Sequence, residues 1–165
     1  INKAIRLVEV SGQEVSLLGD VTFDGVTDAP PFEGFTVGSS GKDIIVKDTT
    51  GLLMRAIDHR SGDELEINGS SDNTTIVECS LRNFDTHAGV VELVDSTLSG
   101  NIYQRDNCDS LRITNVTVGG NISQSSGSLH TSNVTIAGEF NAFTGALKTI
   151  AFRTTGASLA ALRSS

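Results

Sequence analysis

Carboxylates are the first residues of this chain that could do chemistry. Asp58, Asp63, Glu64 and Glu66 crowd into the stretch AIDHRSGDELEI, and glycoside hydrolysis needs two carboxyl groups facing each other across a scissile bond. Glu78 and Glu92 are expected to stack on neighbouring strands, and Asp106 and Asp109 share one turn. No spacing among these residues selects a catalytic pair, and solvated turns attract acidic residues in any case, so no catalytic residue is assigned. His59, His87 and His130 are widely separated, lack the spacing of metal ligands and are read as surface residues. The glycines at 119–120 follow a strand pattern but open no helix, which leaves no phosphate-binding loop. No calcium-binding Gly/Asp nonapeptide occurs. The reading therefore assigns no cofactor and no metal. Tyr103 is the single tyrosine, tryptophan is absent and the seven phenylalanines are scattered. Sugar grooves usually recruit aromatic faces, so this composition weighs against a glycan-binding groove.

The elements that must carry these residues are strands. The 165 residues suffice for one domain with a real core. Gly, Ser, Thr, Asn and Val favour short strands and tight turns over long helices. Twenty acidic against twelve basic residues give a net charge of −8, which argues against binding nucleic acid or anionic lipid through the whole surface. No signal-peptide pattern is visible. No apolar run approaches the roughly 18 residues that a membrane helix needs. The chain opens on Ile1 and is expected to be a piece of something longer.

A repeat organises the middle of the chain. NVTVGGNIS (115–123) returns as NVTIAGEFN (133–141), and the match extends backwards: VELVDSTLSGNIY (91–103), LRITNVTVGGNIS (111–123) and LHTSNVTIAGEFN (129–141) align at offsets of 20 and 18. Such a period marks a solenoid, in which each repeat buries its apolar face on its neighbours. Leu111 and Ile113 alternate as strand residues should, but Val116 and Val118 are out of phase with them. The odd step means that the chain turns a corner at Thr114–Asn115. A second corner falls at Gly119-Gly120-Asn121 and a third at 124–127. Three short strands and three corners make one rung of a parallel β-helix. Stacked rungs need the same corner chemistry at the same place, and Asn tolerates the left-handed backbone that a corner demands. Asp95, Asn115 and Asn133 form one expected column, and Asn101, Asn121 and Glu139 a second. Each member of the second follows a glycine, Gly100, Gly120 or Gly138. These columns are read as structural ladders, because stacked amides can hydrogen-bond from rung to rung. Five Asn-X-Ser/Thr sequons, at Asn68, Asn73, Asn115, Asn121 and Asn133, arise from composition on this reading. Cys79 and Cys108 fall at different points of the repeat and are not expected to pair.

The stretches at 43–51, 65–70 and 75–84 read as strands of earlier, less regular rungs, for about five rungs and roughly 25 Å of stack. The expected organisation is an N-terminal cap or lead-in at 1–40, a β-helix at 41–145 and a C-terminal cap or docking tail at 146–165. Pro30 and Pro31 cannot donate ladder hydrogen bonds and mark a loop. The end of the chain, ASLAALRSS (157–165), has short helical character.

The segment LRITNVTVGGNIS and its two relatives resemble rungs of right-handed, pectin-lyase-like β-helices. That superfamily includes polysaccharide lyases and hydrolases as well as stalk and spike proteins of bacteriophages. The V-x-G-N-I elements also look like bactofilins, cytoskeletal β-helices that polymerise end to end, although 1–40 has no counterpart there. What the resemblance implies is an all-β, right-handed parallel β-helix serving as a structural virion protein: a spike, fibre or capsid-decorating module on the particle surface. It further implies a homotrimer in contact with other virion proteins, with a host surface glycan as a possible ligand. The alternatives it leaves are a carbohydrate-active enzyme or glycan-binding protein and a polymerising scaffold.

Overall fold

The computed structural model describes residues 15–37 and 40–142, with the backbone of two further strands, Ala146–Thr149 and Phe152–Thr154. Among the described residues there is no helix, and every strand pairing is parallel. The chain is a right-handed parallel β-helix. One face stacks Phe32–Glu33, Leu53–Arg55, Thr74–Val77, Gly89–Val94, Cys108–Thr114, Ser128–Ser132 and Ala146–Thr149. The second face stacks Val15–Leu17, Phe35–Val37, the first part of Asp58–Asn68, the first part of Ser80–Thr86, Thr97–Leu98, Thr117–Val118, Val134–Ile136 and Phe152–Thr154. The third stacks Val21–Asp24, Ile44–Lys47, the later parts of those two long strands, Ile102–Gln104, Ile122–Gln124 and Phe140–Ala142.

Six complete rungs run from Phe32 to Ala142, one more than the repeat predicts. The additional rung lies where the sequence shows no repeat. Val15 pairs with Phe35 and Val21 with Ile44, so the described part of 1–40 stacks in register with the coil. At the other end Ala146–Thr149 and Phe152–Thr154 add to the last complete rung. Pro30 and Pro31 stand in the corner between two strands of this N-terminal region. There Phe32 stacks on Phe35 at 4.9 Å and meets Phe23 edge-on at 5.3 Å, an aromatic cluster where the core further along is mostly aliphatic. The helical character expected over 157–165 lies outside the described residues.

The core is a set of columns. On the first face Met54, Ile76, Leu93 and Ile113 lie one above another. On the third, Ile44, Leu65, Phe84, Ile102, Ile122 and Phe140 do the same. All are buried, and each such side chain contributes about 1.5–3 kcal/mol relative to exposure.

What turns the first corner is uniform. Gly34, Ala56, Glu78, Asp95, Asn115 and Asn133 all have positive φ, between 48° and 79°. In each rung the left-handed residue separates an inward residue three positions apart from the next one, as in Ile113 and Val116 or Met54 and Ile57. The amides of the first five donate to a carbonyl of the following rung, from Gly34 N to Arg55 O (3.1 Å) down to Asn115 N to Ser132 O (3.0 Å). The side chains then add a ladder: Asn115 Nδ2 donates to Asp95 Oδ1 and Asn133 Nδ2 to Asn115 Oδ1, both at 2.9 Å.

The second corner uses the amide differently. The Oδ1 of Asn83, Asn101 and Asn121 accepts from the backbone N–H of Asn101, Asn121 and Glu139, at 3.0, 2.8 and 2.7 Å. Gly100, Gly120 and Gly138 are glycine for a steric reason, since a Cβ at any of them would collide with the amide oxygen of the rung before. Asn83 extends this column beyond the residues that the repeat picks out.

Asn115→Leu should lower the urea midpoint by the equivalent of about 1–3 kcal/mol, since a bulky residue takes the left-handed region poorly and both ladder bonds vanish. Asn115→Gly keeps the backbone freedom and loses only the amide, so its loss should be clearly smaller. Equal midpoints for Asn115→Leu and the parent would disprove the role of this corner.

Candidate functional site

The acidic residues of 58–66 do not converge. Asp58 is held by Arg60, whose hydrogen bond keeps its carboxyl below the usual range. Asp63 lies 3.6 Å from Arg82. Glu78 and Glu92 do not stack on one another, contrary to expectation. Glu92 opposes Thr75 on the first face, whereas Glu78 is a left-handed corner residue whose carboxylate takes Arg55 Nε at 3.1 Å. A corner residue and a strand residue belong to different columns, which residue type alone does not distinguish. Asp106 occupies the turn before Cys108–Thr114 and Asp109 lies in that strand, both exposed.

The third face does gather polar groups. Its outward positions stack Ile45, Glu66, Asp85 and Tyr103 in register. Asp85 is the centre. Although it points away from the core, its side chain is only 6 % exposed, because longer neighbours close over it. Arg105 Nε reaches Asp85 Oδ2 at 3.0 Å and Oδ1 at 3.2 Å, and His87 Nε2 lies 3.4 Å from Oδ1. The Arg105 guanidinium also sits 4.7 Å from the centre of the Tyr103 ring, within cation–π range. Asn68 Nδ2 donates to Glu66 Oε1 at 2.9 Å. Glu64 has its carboxyl pushed up by burial, and then by the negative charges of Asp85, Glu66 and Asp43.

This arrangement holds its charges still. Both oxygens of Asp85 are taken by Arg105, and the face of Tyr103 is covered by the same guanidinium. Neither Asp85 nor Arg105 carried a signal in the repeat. They become neighbours only through the 18-residue register that sets Tyr103 on Asp85.

The histidines fall in three environments. His87 joins Asp85, and His130 faces outward beside Arg112. His59, read as a surface residue, is completely buried. It takes an inward position two residues after Ile57, where strand parity puts an aliphatic side chain in the rungs below it. The alternation predicts its burial even though the residue type does not. Cys79 and Cys108 are free and buried at different corners, and burial pushes the Cys79 thiol up to about 11 and raises that of Cys108. Of the sequon asparagines, Asn115, Asn121 and Asn133 are bonded in the ladders, Asn68 holds Glu66, and Asn73 is a left-handed residue bonded to Asp72.

No protein-family model matches the chain, and neither the curated proteins nor the solved structures give a match.

Arg105→Ala should destabilise the coil by roughly 2–3 kcal/mol, because it strands a carboxylate that is almost wholly covered; the half-exposed Arg keeps the figure at the low end. Asp85→Asn together with Arg105→Ala should cost less than Arg105→Ala alone. Urea denaturation of the two variants gives the comparison, and equal losses would mean that Asp85 is already solvated.

Proposed function

We propose that this protein is a rigid structural module of a virus particle: a β-helical spike, fibre or capsid-decorating element, exposed on the particle surface and associated as a homotrimer with other virion proteins. The observation that carries the scaffold part of this reading is the continuity of the stack. Six rungs share an unbroken core, and side-chain ladders link Asp95 to Asn133 at the first corner and Asn83 to Glu139 at the second. Its outward surface is polar, as in the second-face column Ser80, Thr97, Thr117 and Thr135. Asp58, Asp63, Glu78 and Asp85 are each paired with an arginine. The virion part rests on the likeness of the rung LRITNVTVGGNIS to phage β-helices, an analogy of fold.

A module of this kind associates side by side about a closed axis and gives one discrete species. A polymerising scaffold would join rung to rung, a contact that does not close. Light scattering after size-exclusion chromatography, with negative-stain imaging, should show a single oligomer and no filaments at any concentration. Concentration-dependent fibrils would overturn the closed assembly in favour of the polymerising reading. Incubation with bacterial surface polysaccharides should release no shortened oligosaccharides. Release that stops on Asp63→Ala or Glu66→Ala would put the carbohydrate-active reading first.

A further inference from the structure

The imidazole of His59 lies inside the coil. The pairings of Thr36 with Asp58 and of His59 with Leu81 place the His59 ring between Val37 and Leu81, in a column that continues through Leu98, Val118 and Ile136. Its Nε2 lies 3.0 Å from the carbonyl oxygen of Lys42, which fixes that nitrogen as the donor. Its Nδ1 is buried and bonded to nothing in the protein. The imidazole is thus held in its neutral form, for which one donor suffices.

What covers the ring is the only irregular step in its strand. The register slips between His59 and Glu64, and of the intervening residues 60–63 Gly62 lies against the imidazole. Gly62 passes so close that a Cβ there would collide with the ring. The cover is held by Asp63 N–H donating to Lys42 O (2.8 Å), Glu64 N–H donating to Asp43 Oδ1 (3.2 Å), Asn83 Nδ2 donating to Asp63 O (3.2 Å) and Arg82 reaching Gly62 O (3.4 Å). Lys42 O therefore serves the ring and its cover together.

We propose that His59 and the segment 60–63 form an acid-sensitive latch: protonation of the buried imidazole breaks the cover open at this corner while the rest of the coil stays stacked. A proton on Nδ1 creates a donor with no acceptor and a charge in an apolar column, both costly without compensation. Opening of 60–63 gives the cation access to water by the shortest route. The charged groups around the ring are Asp58, Arg60 and Asp63 on its own rung, Lys42 and Asp43 on the rung before, and Arg82 on the rung after. The carboxylates Asp43, Asp58 and Asp63 favour the cation, but burial outweighs them and holds the His59 pKa below its ordinary value. The sign follows. A group whose folded pKa is depressed and which is charged in its acid form binds more protons when exposed, so the closed state loses stability as pH falls below the free value near 6.5. Glu64, held above its usual range by burial first and then by the charges of Asp85, Glu66 and Asp43, shifts the other way. A variant at His59 leaves that contribution unchanged, so the difference between variant and parent isolates the latch.

Amide hydrogen exchange at Asp63 and Glu64, corrected for intrinsic rates, should accelerate up to about tenfold per pH unit below 6.5 in the parent protein. The acceleration should stop at the closed-state pKa of His59, read from its own imidazole NMR titration. His59→Gln keeps a donor for Lys42 O but takes no proton, and its exchange at these amides should be flat with pH. His59→Leu matches the aliphatic residues of the same column and replaces it should the Gln variant not fold. An imidazole midpoint at or above 6.5, exchange in the parent that ignores pH, or a variant that keeps the acceleration would each overturn the latch.

Discussion

Everything in this coil depends on one backbone event, the left-handed residue at the first corner. A β-strand alternates its side chains between two faces, so a strand that bends without adjustment would send its next apolar residue outward. One residue at positive φ restores the phase, which is why inward residues step by three here and by two along the strands. Because six rungs place this residue at one point of the cross-section, the amides around it line up and bond from rung to rung. Residue choice at the corner then follows a gradient. Gly34 takes it without steric cost, Asp95, Asn115 and Asn133 take it with side-chain compensation, and Ala56 and Glu78 take it because their neighbours determine it.

The two amide ladders solve different problems with the same residue. At the first corner, Asn115 and Asn133 link side chain to side chain, outside the backbone network, and reinforce a turn already made. At the second corner, the carbonyl oxygen of Asn reaches a backbone N–H in the next rung that has left the strand ladder. An unpaired amide there would cost about 1–3 kcal/mol. This second use forces glycine one position earlier, because the accepting oxygen occupies the volume of a Cβ. The recurring Gly-Asn pair is therefore one steric and electrostatic unit.

This logic also explains what could be read from the residues alone. The rungs from 91 to 141 were legible because both corners are built from Asn, Asp and Gly at nearly constant spacing. The rungs from 32 to 86 were not, because the same corners are made by Gly34, Ala56 and Glu78 and the left-handed positions lie 22 residues apart, so self-alignment finds nothing. Asn83 escaped for the same reason, since Arg82 stands where the later rungs carry glycine. His59 and the presumed stacking of Glu78 on Glu92 were misplaced by judging residue type before parity. The Asp85–Arg105–His87 contacts depend on register across rungs, which no local pattern encodes.

The third corner shows why the period can vary at all. The first corner has one length and the third has several, from the segment around Ala88 to the longer one holding Pro30 and Pro31. Backbone bonds between rungs still enter this corner, as from Gly25 N to Lys47 O (3.0 Å), Arg105 N to Thr86 O (2.8 Å) and Ser125 N to Gln104 O (2.7 Å), but a turn of variable length leaves other carbonyls and amides that need partners from inside. Buried polar side chains supply them. Thr49 Oγ1 donates to Lys47 O and Ser71 Oγ to Val46 O, while Gln104 Nε2 donates to Ser128 O and Gln124 Nε2 to Gly127 O. Gln104 and Gln124 are stacked inward residues of the third face, wholly buried where a coil built only for stability would carry Leu or Ile. Their side chains reach across to satisfy a turn that has no fixed form. The coil thus keeps its phase at the first corner by backbone conformation and accepts a third corner of variable length with the help of internal hydrogen bonds, so that rungs of unequal length share one core.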